Sequence, residues 1–582
     1  MQNIKTITLL TCLSLFANVK AQLSTNEKPI SFDLKSELTV ISRSLTPVIT
    51  TPKLDMAKIA KEDAEDEEYD MPPRFGYSHK VNYDLNNSGT WFQLPNGDKL
   101  WQLEVVCPAA LSVNFCYDKF WIPEGGKFFV YSKDKKHNIG AFTSRNNKGD
   151  RENNPGFATG LVYGDDVVLE YYQPKEINTD AIISIEYVVH GYRYIRINEP
   201  GYGASGSCTI NVNCEEGQDW QYEKKSVALI VVNGERWCTG SLINTTDFSH
   251  KPYLLTADHC LGVTIANNDI KYDAVNLPNL NTFTFYWEYE EPGCYYSGVE
   301  PSLSKSTHGA TVIANSYGIT EDKSDFALLQ LTEDPTNLSN YTPYYLGWDK
   351  SGLSGNPGVC IHHPMGDVKK IATVLNQPDS STYDQYHFVP SYWKVYWKET
   401  ENGHGIVKHG SSGSPLLNAA HRAIGQLRWG ETEDCNYNGC YLYGRFDKSW
   451  TGNNVHVDSI HRRLDCWLDS LNTGVGTMDG LLVIPSSFPI TTNQQIHSNI
   501  CISGTGKLYI CSTANVELQD NYRMIVEPRG ELIILGGKLS NVDLVLKPGA
   551  RLRITDGGII ETRNGFEAPV GAFVTIDNGQ IL

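Results

Sequence analysis

The sequence is short of three things, and each shortage closes a class of function. It holds no apolar run of the ~18 residues a membrane-spanning helix needs, which excludes a helical membrane protein. Positive charge is in deficit: 49 Lys and Arg against 67 Asp and Glu leave a formal charge of -18. A phosphate backbone would repel such a chain, and no basic stripe interrupts the acidity, so no nucleic-acid partner is expected. The cysteines never pair as CxxC knuckles and no HExxH occurs, so neither a metal nor a cofactor is expected. What remains is ordinary globular text, 40% hydrophobic and 20% charged. At 582 residues it exceeds one core, and three or more domains are expected.

The first residues point to export. Lys5 supplies a positive start, Ile7 to Phe16 form a short apolar stretch, and Val19-Lys20-Ala21 precedes Gln22 as a small-residue cleavage site. Residues 1–21 therefore read as a signal peptide of a secreted or cell-surface protein; a buried N-terminal helix is the alternative. Cys12 is poorly placed for a lipoprotein signal, with Thr11 before it. Removing the signal takes Cys12 from the 14 cysteines and leaves thirteen, which favours disulfides in an oxidising compartment.

Residues 23 to about 70 are polar, and the acidic run Glu62 to Asp70 reads as a solvated linker. From Arg74 to about Tyr194 short alternating segments such as Lys99–Val105 and Lys127–Tyr131 are punctuated by Asn96-Gly97 and Glu124-Gly125-Gly126. That pattern predicts a β-sandwich, in which Cys107 and Cys116 could close a local loop. A second all-β region runs from about Gly203 to Gly474. Ser226–Val232 is its first strand, Asn233-Gly234 a hairpin turn and Trp237–Ile243 the return. Near its end Ile460, Leu464, Trp467, Leu468 and Leu471 share one helical face, with Asp458 or Ser459 as cap. In the last hundred residues Pro528, Pro548 and Pro569 recur, each followed four residues on by an apolar residue (Leu532, Leu552, Phe573). A period near 20 predicts a small β-solenoid; a compact sandwich is the alternative.

Three segments carry chemistry, and their order matters: Thr256-Ala257-Asp258-His259-Cys260, then Ser324-Asp325-Phe326-Ala327, then Gly410-Ser411-Ser412-Gly413-Ser414-Pro415. Nucleophilic serine chemistry needs a hydroxyl, an imidazole to take its proton and a carboxylate to orient the imidazole. Glycines beside the hydroxyl let backbone N–H groups face a developing oxyanion. The competing G-x-S-x-G elbow would need Gly at position 414, where Ser stands, and the order Ser…Asp…His in an alternating α/β pattern.

These strings, with Gly206-Ser207-Cys208, Cys238-Thr239-Gly240-Ser241-Leu242, Ile361-His362-His363-Pro364, Gly425-Gln426-Leu427 and Tyr443-Gly444-Arg445, resemble the lysyl endopeptidase family of secreted bacterial trypsin-like serine proteases. The resemblance covers about Gly203 to Gly474 and implies an all-β, trypsin-like double β-barrel that hydrolyses protein or peptide substrates. It implies Ser412 as nucleophile, His259 as general base and then acid, and Asp325 as orienting carboxylate. It further implies an oxyanion hole from the N–H groups of Gly410 and Ser412. Arg428-Trp429-Gly430 is implied as the strand that pairs with substrate, and three disulfides are implied: Cys208–Cys435, Cys214–Cys294 and Cys238–Cys260. Nine cysteines fall in this region, so Cys360, Cys440 and Cys466 remain and one is free unless the pairing differs.

Two departures limit the analogy. Tyr441 stands where the family places the pocket acid that selects lysine, and Glu431, Glu433 and Asp434 add acids to the loop before it. Ser411 stands where many trypsin relatives have the Asp that binds a freed N-terminus, so removal of a blocking pro-segment is the expected activation step. The resulting layout is signal peptide 1–21, propeptide 22–202 with linker and sandwich, protease domain 203–475 and repetitive β domain 476–582. A permanently attached binding domain is the alternative for the sandwich. Two other readings are an adhesive or structural protein whose C-terminal domain touches a cell surface or polymer, and an esterase. His362, His363, His404 and His409 are expected to be packing or polar residues.

Overall fold

A computed structural model describes residues 27–34, 46–68, 72–193 and 205–582, apart from 262–264, 267–268, 271–279, 296, 317–323, 384–387, 432–433, 437–438, 453–458 and 520. The expected signal at 1–21 lies outside the described residues.

The chain is mostly β. Two sheets face each other in the N-terminal part. One holds Val48–Thr50, Thr90–Gln93, Lys99–Val106, Lys127–Ser132, Asn138–Phe142 and Asp166–Gln173; the other Gly76–Asp84, Ser112–Trp121, Phe157–Ala158, Val162–Tyr163 and Ile182–Gly191. Leu103, Val105 and Leu169 of the first meet Phe115, Tyr117 and Val188 of the second in one core, as the alternating segments predict. Cys107 and Cys116 are buried thiols and close no loop: Cys107 follows a strand of the first sheet, and Cys116 lies within a strand of the second.

The acidic run departs from expectation. Met56–Glu68 is a helix, and its carboxylates are engaged. Arg74 Nη2 lies 3.0 Å from Glu62 Oε2, Arg193 Nη2 2.7 Å from Asp63 Oδ2, and Arg236 Nη2 2.7 Å from Asp66 Oδ2. These arginines lie up to 170 residues away in sequence, which is why the run reads as solvated when taken alone. Phe75 stacks on Trp237 at 5.0 Å, seating the sandwich on the turn at Asn233–Glu235.

That turn has three residues rather than two, since Val232 pairs with Arg236 and the return strand is Arg236–Leu242. Asn233 and Gly234 both take positive φ, at 51° and 75°. The strands belong to a seven-stranded antiparallel sheet, ordered Ser306–His308, Thr284–Trp287, Val227–Val232, Arg236–Leu242, Tyr253–Ala257, Phe326–Leu331, Ala310–Asn315. A ten-stranded sheet forms the second barrel; Val359–His362, Pro415–Leu417, Arg422–Gly430 and Tyr441–Arg445 are successive neighbours in it.

The helix expected near 460–471 is broken into a 3-10 turn, Ile460–Arg462, and one α-turn, Asp465–Leu468. Ser459 caps the first piece. Between them Arg463 is extended, and Leu464 N donates to Ser449 O at 3.0 Å instead of continuing a helix. Leu464 and Leu468 are buried while Ile460 and Leu471 are exposed, so a tertiary contact overrides the helical period.

The C-terminal repeats form a solenoid of stacked parallel strands. Leu508, Leu532, Leu552 and Val574 sit in register on successive rungs. The last rung is one residue out of step with the proline spacing: Val574 takes the stacked position and Phe573 is exposed. The stack is continuous with the barrels. Thr477–Met478 joins the ten-stranded sheet by pairing with Trp348–Asp349, and Leu481–Leu482 pairs with Tyr344–Tyr345.

Candidate active site

His259 stands on a 3-10 turn, Asp258–Leu261, directly after the strand Tyr253–Ala257. Asp325 stands directly before the strand Phe326–Leu331. Those two strands are antiparallel neighbours with Ala257 opposite Phe326, so the register delivers the two residues to the same sheet end. The carboxylate then grips His259 twice: Oδ1 accepts from the backbone N–H at 3.0 Å, and Oδ2 lies 2.7 Å from Nδ1. Asp325 is fully buried and takes φ of 53°, a backbone state that non-glycine residues hold only under surrounding constraint. One constraint is visible in Asp258 N donating to Asp325 O at 2.9 Å.

Ser412 comes from the second barrel and is tied to the first. Its carbonyl accepts from Thr239 N at 2.8 Å, and the Gly410 carbonyl accepts from Thr239 Oγ1 at 2.8 Å. Gly413 has φ of 82°, and a Cβ there would lie 2.2 Å from Thr256 Oγ1 and 2.8 Å from Ala257 N. Only glycine lets the loop approach the strand that leads into His259. The Cys238–Cys260 disulfide fastens the neighbouring strand, Arg236–Leu242, to the residue following His259. The remaining pairs are Cys208–Cys435 and Cys214–Cys294, the ones the resemblance implies. Cys360, Cys440 and Cys466 are all thiols.

Gly410 takes φ of 89°. Among the described residues, the N–H groups of Gly410 and Ser412 donate to no protein acceptor. Among the same residues no hydrogen bond joins Ser412 Oγ to His259. Catalytic hydrogen bonds are often long without substrate and tighten when it binds.

Ser411 has a partner of its own. Its hydroxyl lies 2.7 Å from His362 Nδ1, and both side chains are buried. Burial pushes the His362 imidazole down to about 3, with nearby Lys370 adding to the effect, so it is neutral at pH 7. His363 Nδ1 meets Asp367 O at 2.9 Å. His362 and His363 are thus packed within the second barrel, as expected of them.

Arg428 does something sequence reasoning missed. A register shift between Leu427 and Trp429 marks a bulge at Arg428. Its side chain is buried, with Nε 3.5 Å from Asp325 Oδ2 and the guanidinium 5.3 Å from the Tyr383 ring centre. The guanidinium thus faces the Asp325 carboxylate. Trp429 and Gly430 remain half-buried at the strand end. Tyr441 is paired with Gly430 and buried. Glu431 caps its own strand, its Oε2 accepting from Cys440 N at 2.9 Å, and Asp434 accepts from Asn436 N at 2.9 Å; Glu433 lies outside the described residues.

One group of three side chains with metal-binding atoms occurs among the described residues: His250, Cys501 and Glu527, all within 4.8 Å. Lys547 Nζ already lies 2.6 Å from Glu527 Oε1, so a cation faces that carboxylate in any case.

Residues 202–442 match the family described as lysyl endopeptidase, C-terminal domain. A lysyl endopeptidase of Pseudomonas aeruginosa is 27% identical over 290 residues, covering 46% of this chain and 55% of that protein. The chain therefore spans about half the length of that curated relative. Among solved structures, the inactive form of Rv3671c from M. tuberculosis H37Rv matches at 15% identity and TM-score 0.24, over 43% of this chain and 91% of that one. A serine endoprotease from Yersinia pestis matches at 13% identity and TM-score 0.24, over 40% and 62%. Likeness of that size carries no argument. The motif strings, the family match and the curated relative agree: the barrel region of this chain resembles the lysyl endopeptidase family.

Proposed function

We propose that the chain is a serine endopeptidase in which His259, Asp325 and Ser412 form the triad. The observation that carries this reading is the double grip of Asp325 on His259. It fixes the ring so that Nδ1 carries the proton and Nε2 is left to act as base. Ser412 Oγ would attack the scissile carbonyl carbon as its proton passes to Nε2. The tetrahedral oxyanion would be met by the N–H groups of Gly410 and Ser412, which have no other acceptor among the described residues. Collapse breaks the C–N bond, and the proton on Nε2 leaves with the amine. Water then repeats the sequence on the acyl-enzyme and releases Ser412.

Export by residues 1–21, a zymogen with propeptide 22–202, a protease domain at 203–475 and a C-terminal domain at 476–582 belong to the same proposal. Three disulfides fit an oxidising compartment. Ser411 supports activation without an N-terminal salt bridge, because His362 already holds its hydroxyl. Ser412→Ala should abolish both peptide hydrolysis and labelling by an organophosphonate probe. Labelling that persists in this variant would remove Ser412 from the role.

A further inference from the structure

Leu427 hydrogen-bonds the nucleophile loop in both directions, Gly413 N to Leu427 O and Leu427 N to Ser414 O, each at 2.9 Å. The strand end Arg428–Gly430 therefore runs beside the loop that bears Ser412. A side chain next to the bond under attack has to enter between them, and Tyr441 lies beneath. A Cβ added to Gly430 would fall 2.6 Å and 2.7 Å from Tyr441 Cδ1 and Cε1, so the edge of the ring abuts the bare glycine backbone. Tyr441 is 1% exposed, its ring centre is 5.5 Å from that of Trp397, and both pack in one apolar cluster with Ile406, Val407 and Leu427.

This floor is apolar. The ring occupies depth that a long side chain would need, and a packed core resists displacement. On the adjoining loop Glu431 accepts from the Cys440 N–H and Asp434 from Asn436, while Glu433 lies outside the described residues. A cation, Lys408, is carried instead on the loop before Ser412. A lysine ammonium entering here would lose water, and among the described residues no carboxylate stands on the Tyr441 floor to receive it.

We propose that this pocket takes a small uncharged P1 side chain, of glycine, alanine or serine size, and rejects lysine. The proposal rests on the endopeptidase reading above, and its test separates the two. The full chain, produced with export, is labelled with a fluorophosphonate and assayed on peptides that differ only at P1. Labelling with kcat/KM for alanine at least ~100-fold above lysine is expected, the scale on which a missing polar partner discriminates. Tyr441→Gly should raise phenylalanine cleavage and Tyr441→Asp should raise lysine cleavage, each by ~10-fold or more relative to alanine. A labelled wild type that prefers lysine or phenylalanine overturns the pocket assignment and leaves the endopeptidase standing. An intact chain that neither labels nor cleaves overturns the endopeptidase reading and the pocket with it. If the glycine and aspartate variants misfold, the wild-type P1 profile alone decides.

Discussion

At the scale of single residues, Asp325 and His362 show how burial sets a group's task. Asp325 is buried beside both the His259 ring and the Arg428 guanidinium, so its charge is compensated from two sides. His362 is buried with a hydroxyl partner and stays neutral, held at about 3 against an ordinary value near 6.5. The unfolded chain takes up this proton first, so the stability His362 contributes is complete above pH 6.5 and is lost as pH falls towards 3. The full loss is roughly 5 kcal/mol at 1.36 kcal/mol per unit. Urea denaturation of Ser412→Ala protein across this window should show a steeper fall in stability than the same protein carrying His362→Gln. Equal slopes would mean that His362 is protonated without cost. The strings that hold His259, Asp325 and Ser412 were legible in the sequence because they are short and local, whereas the contact of Arg428 with Asp325 was not, since a strand residue's alternation is upset only by a bulge that forms in the folded sheet.

At the scale of elements, the Met56–Glu68 helix exposes a limit of local reading. A run of Glu and Asp looks solvated until its cationic partners are known, and here they come from Arg74, Arg193 and Arg236. Asp63 is the centre of the cluster, meeting Arg74, Arg193 and the Tyr192 hydroxyl. Asp63→Ala should therefore cost about 1–3 kcal/mol, the price of leaving charged donors half-satisfied. Glu65→Ala on the exposed face should cost less than about 0.5 kcal/mol, since its contact with Lys61 is solvated. Chemical denaturation of the two variants checks the contrast, and equal losses would return the helix to a solvated linker. The broken segment at 460–468 makes the same point in reverse: five apolar residues at helical spacing did not make a helix once Leu464 N found Ser449 O.

At the scale of the molecule, the C-terminal solenoid shares its core with the barrels. Leu482 and Ile484 of the first rung pack in one cluster with Tyr344 and Leu346, and Leu481, Val483 and Cys501 pack with residues of the first barrel such as Leu254 and Leu329. An adhesive module would be expected to fold alone, but this one would leave that apolar face bare. Ending the chain after residue 475 should therefore lower the thermal midpoint of the barrels or drive them to aggregate. Leu482→Ala in the full chain should cost ~2–5 kcal/mol. A truncated chain that melts at the same temperature as the full one would show the solenoid to be a passenger.

The sequence by itself determined the all-β class, the repeat and the order His259, Asp325, Ser412, because strand alternation, glycine-rich turns and short polar strings are local properties. Only the tertiary structure decided what surrounds them. Arg428 turning towards Asp325, the acidic helix meeting its arginines, the Tyr441 ring against Gly430 and the solenoid's share in the barrel core all depend on contacts between distant segments. Burial and charge pairing give those contacts their energy, and neither exists until the chain is folded.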